Sequence, residues 1–328
     1  MSLQDLSDIG NTTKDVAFVF PGQGTQSVGM GLDLYQTSSR AKEILDAADD
    51  YLSFPLKRIM FEGPLDELEK TENCQPAIMV VSLASLAAFE EKGLYDKFRP
   101  VVLAGHSLGE YTAMVVAEVM GFEEGVRLVR ERGQLMQQAS VDSQGSMAAI
   151  IGLDQTILEH ICEESDVQLA NINAENQIVI SGESQAVALA IEKAKASGAR
   201  KSVPLNVAGA FHSRLMATAQ AGLDQAVDAI DIRNPKIPII ANITAGKLST
   251  ALEIKEELRR QLCSCVQWKD SVKTIIDMEI STFLEFGPGR VLSALVKRID
   301  SGVCAVNSFD LIKMRDMANS MPDYKYWL

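Results

Sequence analysis

Apolar and polar positions change period several times along the chain, and each change marks an element. Residues 15–20 (DVAFVF) form a short apolar run closed by Pro21-Gly22-Gln23-Gly24, which predicts a buried strand leading into a glycine-rich turn. Residues 76–92 carry Ala, Leu and Met at helical spacing, and the run VVLA at 101–104 reads as a second buried strand. Helices are predicted over 108–119 and 123–138. Strands alternating with helices at this spacing indicate βαβ units and a mostly parallel sheet.

The order changes between about 143 and 209. There 146–152, 168–173, 177–181 and 201–206 read as strands and 154–165 and 183–197 as helices, the β-α-β-β-α-β order of a ferredoxin-like unit. A helix at 213–230, a strand at 237–242, helices near 252–279 and a strand at 282–286 then resume the first style. The expected fold class is α/β. A large α/β-hydrolase-like subdomain with a mostly parallel sheet takes residues 14–142 and 210–310, and a ferredoxin-like α+β subdomain, 143–209, is inserted into it. Residues 1–13 are expected to be a disordered leader and 311–328 a C-terminal tail.

Composition narrows the function classes. The chain has 328 residues, 47% of them hydrophobic, yet no stretch of 18 or more apolar residues suggests a membrane span. Lys and Arg number 31 against 44 Asp and Glu, a net charge of −13, which argues against general nucleic-acid binding because phosphate neutralisation needs clustered cations. Five scattered cysteines, Cys74, Cys162, Cys263, Cys265 and Cys304, form no CxxC pair and fit neither a disulfide framework nor a zinc site. A reducing cytoplasm is the expected setting. The Asn11-Thr-Thr and Asn242-Ile-Thr sequons then read as chance matches.

Gly105-His106-Ser107-Leu108-Gly109 is a G-x-S-x-G match lying directly between a predicted strand and a predicted helix. A sharp strand-to-helix turn needs small residues beside the serine and thrusts its oxygen out at the carboxyl edge of the sheet, close to free helix N–H groups. The bland alternative is a helix N-cap. A serine nucleophile needs a base, and the chain offers only His106, His160 and His212. His160 has acidic neighbours on a predicted helix and reads as a solvated surface residue. His106 directly precedes the serine, so its ring should point away across the turn. His212 remains, after the small-residue run Ala208-Gly209-Ala210. On the helix at 123–138, Arg132 lies three residues after Val129 and four before Met136, on the apolar stripe. A buried guanidinium must meet either an internal carboxylate or a bound anion, and both readings stay open.

Taken in order, Phe20-Pro21-Gly22-Gln23-Gly24-Thr25-Gln26, the serine motif continued by Glu110, Arg132-Gly133, Gly209-Ala210-Phe211-His212-Ser213 and Val266-Gln267-Trp268 resemble the malonyl-CoA:acyl carrier protein transacylases of the free-standing bacterial type. The resemblance covers nearly all of 15–310. It implies that Ser107 carries the acyl group, that His212 is its base and that Arg132 grips the malonyl carboxylate. It puts the oxyanion hole on the backbone N–H groups of Gln23 and Leu108, with Gln23 also against substrate, and it has a backbone carbonyl of Gln267 steady the histidine in place of an aspartate. Phe211 would crowd a 2-methyl branch. One departure is Asn171-Ile172-Asn173-Ala174-Glu175, where relatives often carry Ser-Pro after the second Asn.

The implied reaction is ping-pong transfer from malonyl-CoA to the phosphopantetheine thiol of an acyl carrier protein, for fatty-acid or polyketide synthesis. Coenzyme A enters as a thioester substrate, no cofactor or metal is bound permanently, and a monomer is expected. An acidic carrier would need a basic patch, for which Arg214, Arg290, Lys297 and Arg298 are candidates. Two rivals remain. An α/β-hydrolase-type thioesterase would show Ser, then an acid, then His in chain order, and an inactive carrier-binding scaffold would keep the fold without the chemistry.

Overall fold

The computed structural model describes residues 13–320, so residues 1–12 of the expected leader and 321–328 of the expected tail lie outside the described residues. The first strands are β1 (Lys14–Phe20), β2 (Phe98–Gly105), β3 (Gly145–Ile151), β4 (Gln168–Ala174), β5 (Gln177–Glu183) and β6 (Lys201–Pro204). After them come β7 (Ile239–Ile240), β8 (Lys247–Leu248), β9 (Thr282–Glu285) and β10 (Cys304–Asn307).

They form two sheets. The larger runs β10-β9-β1-β2-β7-β8, with every pair parallel except β7 with β8. Alternation along β1 explains why this sheet is covered on both sides. Val16, Phe18 and Phe20 enter one core cluster, while Ala17 and Val19 enter another with Val102, Ala104 and Phe283. Both faces of a parallel strand are buried, so its sequence reads as a continuous apolar run. On the first face Phe18 meets Phe286 at 4.5 Å between ring centroids, and Phe89 stands edge-on to Phe286 at 5.1 Å, both within the range favoured by aromatic pairs.

Phe89 belongs to the helix Thr71–Glu91, which is buried on nearly every side. Pro76 sits inside it and removes the hydrogen bond that the Glu72 carbonyl would otherwise accept. Arg130 Nη1, from the neighbouring helix Phe122–Asp142, donates to that carbonyl at 3.2 Å. Residues 32–69, for which no element was predicted, form four helices, Leu32–Thr37, Ser39–Leu52, Leu56–Glu62 and Leu65–Glu69.

The smaller sheet is antiparallel, in the order β4-β5-β3-β6. With the helices Gln155–Ser165 and Ser184–Ala196 it shows the predicted β-α-β-β-α-β order. Ile150, Ile161, Ile178, Ile180 and Val187 share its separate core. The fold is thus mixed α/β with one mostly parallel and one antiparallel sheet.

Two further details go beyond the sequence pattern. The helices expected near 252–279 are Ala251–Leu258 and Trp268–Asp277, and the loop between them holds a single 3-10 turn, Gln261–Cys263. In that loop Val266 pairs with β4, its N–H donating to the Ala170 carbonyl at 2.8 Å and its carbonyl accepting from the Ile172 N–H at 2.9 Å, so cross-sheet pairing overrides helical periodicity. Residues 308–320, which include the start of the expected tail, form a helix, with Leu311 fully buried.

Candidate active site

Strand β2 passes into the helix Leu108–Val116 through Ser107. A Cβ on Gly105 would lie 1.9 Å from the Gly109 carbonyl carbon, and one on Gly109 would lie 1.9 Å from the Phe20 carbonyl oxygen. Only glycine fits at either place, and the two together let the turn close tightly against β1. Ser107 itself takes φ 52°, ψ −105°, a region that non-glycine residues occupy only when the surroundings hold them there. His212 also has a positive φ, 56°.

The turn brings the serine to its partners. Ser107 Oγ lies 2.8 Å from His212 Nε2, and Arg132 Nη2 donates to the same oxygen at 3.1 Å. His212 Nδ1 faces the carbonyl oxygens of Gln261 at 3.0 Å and Ser264 at 3.1 Å. Both are acceptors only, so Nδ1 carries the proton and Nε2 presents its lone pair to the hydroxyl. Burial, and then the positive charge of Arg132, lower the His212 pKa from 6.5 to about 3. The ring is therefore neutral and ready to accept a proton. Where a hydrolase triad would put a carboxylate on Nδ1, two backbone carbonyls stand instead.

Gln267 does not do what the resemblance implied. Its carbonyl accepts from the N–H and hydroxyl of Ser271, in the first turn of the helix Trp268–Asp277, and its N–H donates to the Asn242 carbonyl at 2.7 Å. That carbonyl is committed to the helix. The carbonyls that hold the histidine come from Gln261 and Ser264 in the preceding loop.

Arg132 is fully buried. Nη1 donates to Gln75 Oε1 at 2.6 Å and Nη2 to Gln261 Oε1 at 3.1 Å, and the guanidinium lies 5.0 Å from the centre of the Tyr111 ring. Among the described residues no carboxylate reaches within ion-pair distance of it. Burial lowers its pKa, yet a guanidinium stays charged at any ordinary pH. A buried cation held only by neutral oxygens and facing a pocket is a place for an anion. Glu110 stands one amide further off: Gln261 Nε2 bridges its Oε2 and the Ser107 carbonyl. Burial, and next the neighbouring Glu257, raise the Glu110 carboxyl well above the usual carboxylate range.

Ser107, His212, Arg132, Gln23, Leu108 and Phe211 all line one cavity of about 630 Å³, large enough for the reacting end of a ligand of drug size. Leu108 is the first residue of its helix, so its N–H has no acceptor within the helix. The Ser107 N–H, by contrast, is taken by Asn242 Oδ1 at 2.7 Å. His106 turns its ring to Asn173, with Nε2 2.8 Å from Oδ1. His160 is 72% exposed and lies 3.1 Å from Glu164. The four candidate docking cations stand outside the cavity and do not form one cluster. Arg214 pairs with Asp166, Arg290 with Asp310 at 2.5 Å, and Arg298 contacts Gln177, while Lys297 shares a surface groove with Arg290.

Sequence reasoning missed Gln75, Asn242, Gln261 and Ser264. Gln261 and Ser264 hold the histidine through backbone carbonyls, which any residue supplies, so residue identity carries no signal for that contact, although the Gln261 side chain also meets Arg132 and Glu110. Asn242 stood out only as a sequon.

Comparison with known proteins places this geometry. The family described as acyl transferase domain matches residues 17–315, so fold and family define an acyltransferase. The malonyl CoA-acyl carrier protein transacylase of Bacillus subtilis is 43% identical over 290 residues, 87% of this chain and 90% of that one. The protein of the same name from Staphylococcus aureus strain MRSA252 is 40% identical over 88% of this chain and 93% of its own. The solved malonyl CoA-acyl carrier protein transacylase of Coxiella burnetii superposes with a TM-score of 0.89 at 37% identity, over 93% of this chain and 97% of that one. A malonyl-transacylase solved in complex with its type II PKS acyl-carrier protein gives 0.86 at 38% identity, over 90% and 96%. The chain belongs to the malonyl CoA-acyl carrier protein transacylase family.

Proposed function

We propose that this chain transfers malonyl from malonyl-CoA to the phosphopantetheine thiol of an acyl carrier protein through an ester on Ser107, supplying extender units for fatty-acid or polyketide synthesis. His212 Nε2 takes the hydroxyl proton as the serine oxygen bonds to the thioester carbonyl carbon. The developing oxyanion is met by the N–H groups of Leu108 and Gln23. When the C–S bond breaks, the proton held by His212 goes to the departing coenzyme A sulfur. The carrier thiol then gives its proton to His212 as its sulfur bonds to the acyl carbon, the ester C–O bond to Ser107 breaks, and the proton on His212 passes to the serine oxygen.

The observation that carries this reading is Arg132, a fully buried guanidinium with no ion-pair partner among the described residues, 3.1 Å from the nucleophile oxygen. It supports a substrate bearing a carboxylate a short distance from the carbonyl under attack, and a planar fork suits that group. Phe211, 6% exposed and on the cavity wall, would oppose a 2-methyl branch. Every group in the cycle comes from one chain, which suits a monomer, and five free thiols among the described residues suit the reducing cytoplasm. Against a thioesterase stand the two carbonyls on His212 Nδ1.

Intact-mass measurement after incubation with malonyl-CoA tests the reading. The wild type should gain one malonyl group and Ser107→Ala none; a persistent adduct on the alanine variant refutes the assignment.

A further inference from the structure

The strained turn at Ser107 needs something to hold it, and Asn242 is placed to do so. The residue is 1% exposed, so its sequon offers no acceptor for a glycan in the folded chain. Asn242 Oδ1 accepts from the Ser107 N–H at 2.7 Å, and Nδ2 donates to the Gly105 carbonyl at 2.7 Å. The first contact is to a donor and the second to an acceptor, so together they fix which end of the amide is oxygen. One side chain thus clamps two successive peptide groups immediately before the nucleophile, from 135 residues away in sequence.

The clamp is itself held at both ends. Asn242 N–H donates to Glu110 Oε1 at 2.8 Å, and its carbonyl accepts from the Gln267 N–H at 2.7 Å. Glu110 comes from the helix that the turn begins, and its other oxygen accepts from Gln261 Nε2, which also donates to the Ser107 carbonyl at 3.1 Å. The N–H and the C=O of the nucleophile are therefore both tied, through two amides, to one buried carboxyl. Sparsely populated backbone conformations persist only where the surroundings over-determine them. Occupation of the Ser107 N–H also removes it from the oxyanion site and leaves that task to Leu108.

We propose that Asn242 is the positioning residue of this turn, its side-chain amide holding Ser107 Oγ in line with His212 and the Leu108 N–H aimed into the cavity. The proposal rests on Ser107 being the nucleophile; it does not depend on which acyl group the serine carries.

The test separates the two. A small fluorophosphonate reacts with an activated serine and has no carboxylate for Arg132, so its labelling rate at Ser107 reports the serine's placement and activation independently of malonyl recognition. Asn242→Ala should slow both fluorophosphonate labelling and single-turnover malonyl transfer to Ser107 by about a hundredfold, the scale of loss when a reacting atom is displaced by about 1 Å. Malonyl-CoA affinity, compared between Ser107→Ala and the Ser107→Ala/Asn242→Ala double variant, should change less than about twofold. Asn242→Asp keeps an oxygen on the Ser107 N–H and should label faster than Asn242→Ala.

Labelling of Asn242→Ala within about twofold of wild type overturns the proposal, as does an affinity loss matching the rate loss, or an aspartate variant no faster than the alanine one. Should Asn242→Ala fail to fold, Asn242→Asp decides: a labelling rate above about a tenth of wild type supports the proposal and a lower one overturns it. A wild type labelled at Ser107 by fluorophosphonate yet never acylated by malonyl-CoA would sink the transferase reading while leaving this series able to judge Asn242.

Discussion

The floor of the cavity and its outer surface both carry arginines, and the two environments give the same side chain different work. Arg132 is wholly buried and has neutral oxygens for partners. Arg214 and Arg290 are more than half exposed, and each already faces an aspartate. Removing a guanidinium from water costs several kcal/mol, and the neutral oxygens of Gln75, Gln261 and Ser107 with the Tyr111 ring offset part of it without neutralising the charge. An exposed ion pair is worth about 0–1 kcal/mol. If Arg132 receives the substrate carboxylate, as proposed, the floor would decide which acyl group is accepted, while the surface would only adjust how readily a partner arrives.

Breaking the floor gives the largest effect. Loss of the partner to a buried charge costs about 3–5 kcal/mol, which corresponds to roughly a hundredfold to several thousandfold in rate. Arg132→Ala should therefore shrink the preference for malonyl-CoA over acetyl-CoA by that factor, measured as the ratio of kcat/KM values. An unchanged ratio would make Arg132 a structural residue, and the contrast between floor and surface would fall with it.

A pH titration sharpens the same contrast. Burial and Arg132 hold the His212 pKa at about 3 against an ordinary 6.5, so the base form persists well below neutrality. The acidic limb of kcat/KM for malonyl-CoA, which reports the free protein, should lie below pH 6.5. In Arg132→Ala the limb should move upward, because one of the two main causes of the shift is gone, yet stay under 6.5 because burial, the larger cause, remains. The sign for stability follows from linkage. Between about 6.5 and 3 the unfolded chain binds this proton and the folded chain does not, so His212 weakens the fold as pH falls through that window. A limb at or above 6.5 in the wild type would mean that the ring is less isolated from water than its surroundings indicate.

The floor was also the more legible region. The serine turn could be read because two periodicities, strand and helix, meet at a motif that only glycines permit, and the smaller sheet because its strands and helices follow a recognisable order. Arg132 stood out as a charge on an apolar stripe. What the sequence hid were partners supplied by backbone. The carbonyls of Gln261 and Ser264 hold His212 because residues 259–267 leave the helical path to pair with β4, and nothing in the spacing announces that departure. In the region 32–69 three helices are short, down to the five residues of Leu65–Glu69, so no period repeats long enough to register there. Ser39–Leu52, with Ala41, Leu45 and Ala48 buried at helical spacing, did carry a readable period that sequence reasoning passed over. At the surface, residue type alone was a poor guide, since the aspartates that pair with Arg214 and Arg290 are 48 and 20 residues away in sequence.

The smallest expected effect lies at that surface. Val291, the neighbour of Arg290, lines the cavity mouth, and Arg290, Lys297 and Lys313 line a groove beside it that also contains Asp310. An acidic carrier would meet these cations if it approached along this groove. Arg290→Glu places a repelling charge there and frees Asp310, so both changes act in one direction. The expected rise in KM for the carrier is about two- to fivefold, the size associated with an exposed charge, larger at low salt and fading as ionic strength rises. KM for malonyl-CoA should not change. Arg214→Glu should do less, because Arg214, paired with Asp166, lines neither the cavity nor that groove. If Arg214→Glu instead weakens carrier use more than Arg290→Glu does, the carrier approaches along the smaller sheet, and the groove beside Val291 is not its path.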